Sequence, residues 1–171
     1  MEQQNTQETT INTTTKTMET TEKINISALS IGDWVQARMT KWDYDDLDIT
    51  PPMRVVKIEK DGVVLSLGGI EHPAFVDDLQ PIPITPEILE KNGFRQSKKF
   101  SKDWQLTVYN DEVYVNLGDR YTSCEHNRMV HNPEDVSEVD YSNSLEMPRP
   151  MFVHELQRFM QLANVDKDIE L

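Results

Sequence analysis

The sequence predicts an α+β protein in which a small β-barrel is followed by a layer of short antiparallel strands and a C-terminal helix. Apolar residues alternate with polar ones in two separate groups of short segments, which is the pattern of half-buried strands. A proline-rich segment with a helix cap joins the two groups, and an amphipathic stretch follows the second. A chain of 171 residues is long enough for one compact domain or two small ones that share a core.

The first 26 residues differ from the rest in composition. They contain nine threonines and no aromatic residue. Such a segment cannot bury enough apolar surface to offset the entropy lost on ordering. We therefore expect residues 1–26 to be a disordered tail, with order beginning near Ala28, and we expect their deletion to leave the folded part intact.

Residues 27–84 carry the first group of alternating segments. The alternation predicts five strands, over 34–39, 53–59, 63–67, 70–76 and 79–84. Asp61 and Gly62 lie between two of them and predict a hairpin turn with a positive φ at the glycine. Five short strands of this kind favour an SH3-like barrel.

Residues 85–171 begin with a short helix over 86–92. Pro81 and Pro83 favour an extended path before it, Thr85 provides an N-cap oxygen, Pro86 fits the first helical position and Gly93 ends the helix. Further alternation predicts strands over 104–109, over 112–117 and around 120–124, and the polar stretch 131–150 predicts a long loop. The final helix, over 151–163, places apolar residues on one face: Phe152, Leu156, Phe159, Met160 and Ala163.

The formal net charge is −13, and the acidic residues are spread through both folded regions. Such a charge disfavours direct binding to nucleic acid or to anionic membranes and permits binding to a protein with a basic surface. Cys124 is the single cysteine, so no internal disulfide forms, and no apolar run is long enough to span a membrane. The first residues also lack the pattern of a secretory signal. We expect a reducing, cytoplasmic location; the oligomeric state stays open.

Four motifs resemble a family of small uncharacterised proteins of phages, prophages and conjugative elements of gut anaerobic bacteria. They are Ile-Gly-Asp-Trp-Val at 31–35, the proline-rich segment 78–94, Val-His-Glu-Leu-Gln at 153–157 and Asp-Ile-Glu-Leu at 168–171. The resemblance covers residues 29–171. The chain departs from it in the threonine-rich tail and in an acidic insertion before Met151, where the family pattern implies a strand leading almost directly into the last helix. The family has no assigned activity, so the resemblance implies a genetic context and a fold.

The densest charge cluster lies in the loop between the first two predicted strands. Aromatic and acidic residues are interleaved there, as is usual in a contact surface, and they form our candidate partner-binding site: Trp42, Asp43, Tyr44, Asp45, Asp46 and Asp48. A solvated loop that only aids solubility is the alternative. A calcium loop is excluded, because the mid-loop glycine is missing and Arg54 stands where a bidentate glutamate belongs.

One basic run interrupts the acidic sequence. Lys98, Lys99, Lys102 and Trp104 could together grip single-stranded nucleic acid through charge and stacking. A linker that buries its aromatic residues and leaves its lysines in water is the alternative.

No residue set predicts catalysis or a bound cofactor. Cys124, His126 and His131 are too irregularly spaced for a zinc site, and nothing in the sequence orients a histidine beside Cys124 as in a cysteine nucleophile. His154 and Glu155 begin like a zinc-protease helix, but Arg158 occupies the position of the second histidine. The sequence therefore favours a non-enzymatic accessory protein that acts through protein–protein interaction, for example as an acidic inhibitor of a host defence or nucleic-acid enzyme. The alternative is a nucleic-acid-binding accessory protein in replication or transcription.

Overall fold

The computed structural model describes residues 23–38, 49–118, 121–131 and 137–171. They form an α+β fold with two five-stranded antiparallel sheets and a C-terminal helix. The predicted fold class is confirmed at this level. Each sheet has its own hydrophobic core, and the C-terminal helix belongs to the second.

The first sheet is strongly curved and has the strand order β4-β3-β2-β1-β5. Its strands are β1 (Trp34–Ala37), β2 (Met53–Ile58), β3 (Gly62–Leu67), β4 (Ile70–Phe75) and β5 (Leu79–Gln80). The alternation in sequence corresponds to alternate burial, since Val35, Val55 and Leu65 are fully buried while their neighbours are not. A single 3-10 turn, Val76–Asp78, separates β4 from β5.

Ordered structure begins earlier than the composition indicated. Ile24 is only 5% exposed and belongs to the first core, and Ile26 starts a 3-10 turn that packs against the same core. Asn25 caps that turn, because its Oδ1 accepts a hydrogen bond from the Ser27 amide. The expected end of the tail at residue 26 is therefore wrong by at least three residues. Residues 1–22 lie outside the described part.

The join between the sheets differs from the predicted fifth strand over 79–84. Strand β5 ends at Gln80, and the chain then crosses to the second half, where Ile82 and Ile84 enter the second core. The Val153 amide donates to the Ile82 carbonyl, and the Ile84 amide donates to the Met151 carbonyl. Helix α1 (Pro86–Lys91) follows as predicted. Its cap is Thr85, whose Oγ1 accepts from the Ile88 amide, and it is ended by Gly93 at a positive φ of 83°.

The second sheet has the strand order β10-β9-β8-β7-β6. Its strands are β6 (Arg95–Gln96), β7 (Asp103–Val108), β8 (Asp111–Leu117), β9 (Thr122–His131) and β10 (Ser137–Met147). The predicted loop over 131–150 is wrong, since ten residue pairs join β9 to β10 in a long hairpin. Strand β10 leads through a short connection, residues 148–152, into the last helix.

Helix α2 (Val153–Leu162) covers the inner face of the second sheet. The predicted apolar face is confirmed: Leu156, Phe159 and Met160 are buried, and Phe152 and Ala163 are buried at its two ends. Val165 and Ile169 continue this core after the helix. They hold the C-terminal segment against the body of the protein.

A polar cluster ties the two halves together where β1 meets α2. The Trp34 amide donates to Gln157 Oε1 at 3.0 Å, and Trp34 Nε1 donates to the Ile169 carbonyl at 2.6 Å. Arg54 stacks on the Trp34 ring, 4.2 Å from its centre, and forms a bidentate ion pair with Asp168. Helix α2 and the C-terminal segment therefore contact both sheets.

Candidate functional site

The predicted partner-binding residues, Trp42, Asp43, Tyr44, Asp45, Asp46 and Asp48, lie outside the described residues. The structure does describe both ends of their loop. Arg38 and Ile49 form an antiparallel bridge, and the Thr50 amide donates to the Ala37 carbonyl at 2.9 Å. The loop therefore leaves β1 and returns to the same point of the first sheet.

The basic run forms the exposed turn between β6 and β7. Lys98, Lys99 and Lys102 are exposed, as the nucleic-acid interpretation requires. Trp104, however, is 2% exposed and lies in the second core. Its ring cannot stack on a base, so this part of the nucleic-acid prediction is wrong. The aromatic side chain on this turn is Phe100, which is 55% exposed and carries Lys99 Nζ 5.1 Å from its ring centre.

Cys124 and His126 point to the same side of β9, toward the core. His126 Nε2 lies 2.9 Å from Asp111 Oδ1. Asp111 therefore orients the His126 ring, which the sequence did not reveal. Burial nevertheless raises the pKa of the Cys124 thiol, and the negative charge of Glu155 raises it by a smaller amount. Together they bring it to about 12. A buried neutral thiol is a poor nucleophile. The His131 side chain lies outside the described part, and no three ligand-type side chains among those described are grouped to hold a metal.

His154 and Glu155 open helix α2 and line a cleft of about 260 Å³ against the segment 23–28. Burial lowers the pKa of His154, whose ring stacks on Phe152 with centroids 6.0 Å apart, and its Nδ1 has no hydrogen-bond partner. Burial alone would raise the pKa of Glu155, but hydrogen bonds from Arg149 and the Phe152 amide lower it. At the helix start Glu155 thus accepts from the Phe152 amide and pairs with Arg149, whereas His154 is buried beside the Phe152 ring.

The outer face of the second sheet, opposite α2, is a polar surface formed by several neighbouring strands. We call the outward-facing residues of β7 to β10 the acidic face. They alternate with the buried residues of each strand and comprise Asp103, Gln105, Thr107, Glu112, Tyr114, Asn116, Ser123, Glu125, Asn127, Met129, Ser142, Ser144 and Glu146. This set contains four carboxylates and no lysine or arginine; exposed Arg95 of β6 lies opposite Gln105 at the far edge of the same sheet face.

Side chains of the acidic face are ordered by bonds to one another. The Tyr114 hydroxyl donates to Glu112 Oε2 at 2.6 Å and accepts from Gln105 Nε2 at 3.2 Å. Asn127 Nδ2 donates to Glu125 Oε1 at 2.9 Å. Desolvation, the Glu112 bond and the charges of Glu112 and Glu125 raise the pKa of Tyr114 to about 12. Burial is the largest of these causes, and the two neighbouring carboxylates act in the same direction.

Sequence reasoning missed the acidic face because it assigned residues 131–150 to a loop. The alternation of polar residues in Ser123, Glu125 and Asn127 was a usable signal, since it continues the period of two found in β7 and β8. Only the pairing of β10 with β9 adds Ser142, Ser144 and Glu146 to the same surface.

Comparison of the chain with family models, with curated proteins and with solved structures gave no match. Within the part of the chain that the structure describes, neither helix combines the length and the apolar character needed to cross a bilayer.

Proposed function

We propose that this chain is a non-enzymatic accessory protein of a phage or other mobile element and acts by binding a protein partner in the cytoplasm of a bacterial host. The observation that carries the proposal is the acidic face, which joins four carboxylates to hydroxyl and amide groups on a pre-formed sheet. A partner with a basic surface complements it. Host defence and nucleic-acid enzymes present such surfaces where they bind phosphate backbones, so inhibition of one of them is the specific form that we favour.

Pre-organisation supports a binding role for this face. Its central side chains are already fixed by the bonds that link Gln105, Tyr114 and Glu112, so little side-chain entropy is lost on association. The net charge of −13 would also speed the encounter with a basic partner. Both effects act without any catalytic group.

The first sheet supplies a second surface in this proposal. Its strand order, with β5 beside β1 and a 3-10 turn before β5, supports an SH3-like barrel. Barrels of this kind contact partners through the loop between their first two strands, which here holds the cluster from Trp42 to Asp48. Fold alone does not define a partner, since SH3-like barrels serve many unrelated functions.

A charge-reversal experiment tests the proposal. Glu125→Lys combined with Glu146→Lys changes two exposed positions of the acidic face, and Glu90→Lys combined with Asp166→Lys makes the same charge change elsewhere. We expect the parent and the control to capture the same basic protein from host lysate. The face variant should lose it, and binding of the purified partner should weaken as salt rises. Equal capture by the face variant would contradict the proposal.

The alternative function is nucleic-acid binding by the β6–β7 turn, and exposed Phe100 beside Lys99 is the observation that favours it. A labelled single-stranded oligonucleotide at physiological salt distinguishes the two. Binding by the parent that is lost on combining Lys98→Gln, Lys99→Gln and Lys102→Gln would favour the alternative. No detectable binding is the result expected from the acidic proposal.

A further inference from the structure

Strand β10 forms one edge of the second sheet, and its register identifies which backbone groups face outward. The Met129 amide donates to the Asn110 carbonyl, which continues the β8–β9 pairing by one residue. Because hydrogen-bonded pairs alternate in an antiparallel ladder, the even-numbered residues of β9 bond to β10. Their partners in β10 are odd-numbered, from Tyr141 to Met147. The backbone groups of Ser142, Ser144 and Glu146 consequently point away from the sheet.

No backbone bond joins these three residues to another described segment. Natural edge strands are usually protected by proline, lysine, a bulge or a covering element. In β10 the pairing with β9 shifts register between Val139 and Tyr141, and Pro148 follows the end of the strand. Between these two points the edge is regular and contains neither proline nor lysine. It is long enough to pair with an extended segment of similar length.

The side chains beside this edge differ on its two sides. Ser142, Ser144 and Glu146 are exposed on the acidic face, and Glu125 lies opposite Ser144 in the neighbouring strand. On the other side, Leu145 is 37% exposed. An added strand would therefore meet carboxylates and hydroxyls with one set of alternate residues and an apolar side chain with the other.

We propose that the edge of β10 binds an extended segment of the partner protein by strand addition, with basic side chains over Glu146 and Glu125 and apolar side chains over Leu145. Backbone hydrogen bonds to Ser142, Ser144 and Glu146 hold the segment, and the charges select it. This inference rests on the proposed function and gives the partner's contact a defined chemistry: an exposed strand that alternates basic and apolar residues.

Charge complementarity argues against a second copy of this chain as the occupant. Two copies paired through β10 would bring two acidic faces side by side, on chains that each carry a formal net charge of −13. The repulsion between these two acidic surfaces disfavours the pairing. A basic strand makes the opposite, favourable pairing.

Binding of a synthetic peptide to the full chain tests strand addition. The probe is a capped heptapeptide that alternates lysine and valine, and its control is the same peptide N-methylated on alternate amides, which keeps the charge and removes donors. We expect the methylated peptide to bind at least about tenfold more weakly, since several backbone bonds are lost. The amides of Ser142, Ser144 and Glu146 should become protected from hydrogen exchange only with the unmethylated peptide.

A variant provides a second measurement. Ser144→Pro removes an outward amide that makes no bond to β9, so the ladder stays intact while the edge loses a donor. We expect it to lower peptide affinity about tenfold; if it does not fold, the two peptides on the parent decide. Equal affinity for both peptides would overturn strand addition, and so would a dimer with protected β10 amides. Suppose that the charge-reversed variant of the acidic face loses the partner and that the two peptides bind the parent equally well. Strand addition alone would then be refuted, and the proposed function would stand.

Discussion

Asp33 is a fully buried carboxylate beside the join of the two sheets. Its Oδ2 accepts from the Ser30 amide at 2.7 Å, whereas its Oδ1 has no partner. Burial raises its pKa to about 6, against the smaller opposing effects of the Ser30 bond, Arg158 and Arg54. The folded state therefore holds the proton more tightly than the unfolded chain, and this contribution to stability is lost as the pH rises from about 4 through about 6.

Asp33→Asn should remove the pH dependence that Asp33 gives to the free energy of unfolding. The variant keeps an acceptor for Ser30 but cannot ionise, so its free energy of unfolding relative to the parent should rise between pH 4 and pH 7, by at most about 3 kcal/mol. Urea unfolding at several pH values measures it, with exposed Asp166→Asn as the control. A constant difference across this range would show that Asp33 does not titrate there.

Gly62 is required for a reason other than the predicted one. Gly62 is not among the described glycines with a positive φ, which are Gly32, Gly68, Gly69 and Gly93. Instead, a Cβ at Gly62 would lie 2.4 Å from the Ala74 carbonyl oxygen of β4. Gly62→Ala should lower the free energy of unfolding by about 1–3 kcal/mol, because two backbones must separate. Gly68→Asn, at a position with open space and a φ that asparagine tolerates, is the control. Thermal denaturation that leaves both variants equally stable would contradict this explanation.

At the scale of the element, the segment from Lys23 to Ala28 closes one end of the first core. Ile24→Ala should lower the free energy of unfolding by about 2–4 kcal/mol, since it empties a buried site. Ile31→Ala, at a position that is 66% exposed, should change it by less than about 0.5 kcal/mol.

Deletion of residues 1–26 should likewise destabilise the protein, contrary to the expectation from composition. Chemical denaturation of the three variants provides the comparison, and full stability of the deletion would show that Ile24 contributes nothing.

The β9–β10 hairpin shows where reading elements from sequence fails. Residues 137–147 do alternate, since Val139, Tyr141, Leu145 and Met147 are separated by polar residues, but their acidic, proline-bounded surroundings favoured the prediction of a loop. Their conformation comes from ten pairs with β9, which are contacts across the chain. The β2–β3 hairpin was predictable because its alternating residues bury one face. In β10 the same alternation is present but is interrupted at Asn143, so its polar composition outweighed it in the sequence-based prediction.

At the scale of the molecule, the two sheets should unfold together. Gln157 is buried on α2, accepts from the Trp34 amide and donates to the Gly32 carbonyl. Gln157→Leu would leave the Trp34 amide without its hydrogen-bond acceptor and should lower the free energy of unfolding by about 1–3 kcal/mol. The two sheets should still unfold in one transition. Circular dichroism and tryptophan fluorescence should report the same midpoint. Gln161→Leu, exposed on the same helix, is the control. Two separate transitions in the parent would mean that the halves are independent.

The sequence by itself determined the features whose cause is local. These are the alternating strands of the first sheet, the Thr85 cap and Gly93 end of α1, the apolar face of α2 and the acidic charge. The tertiary structure decided the rest: the burial of Trp104 and Ile24, the transfer of Ile82 and Ile84 to the second core, and the placement of Glu112, Glu125 and Glu146 on one surface. Those outcomes depend on pairing and packing between residues far apart in the chain, and local periodicity carries no record of such contacts.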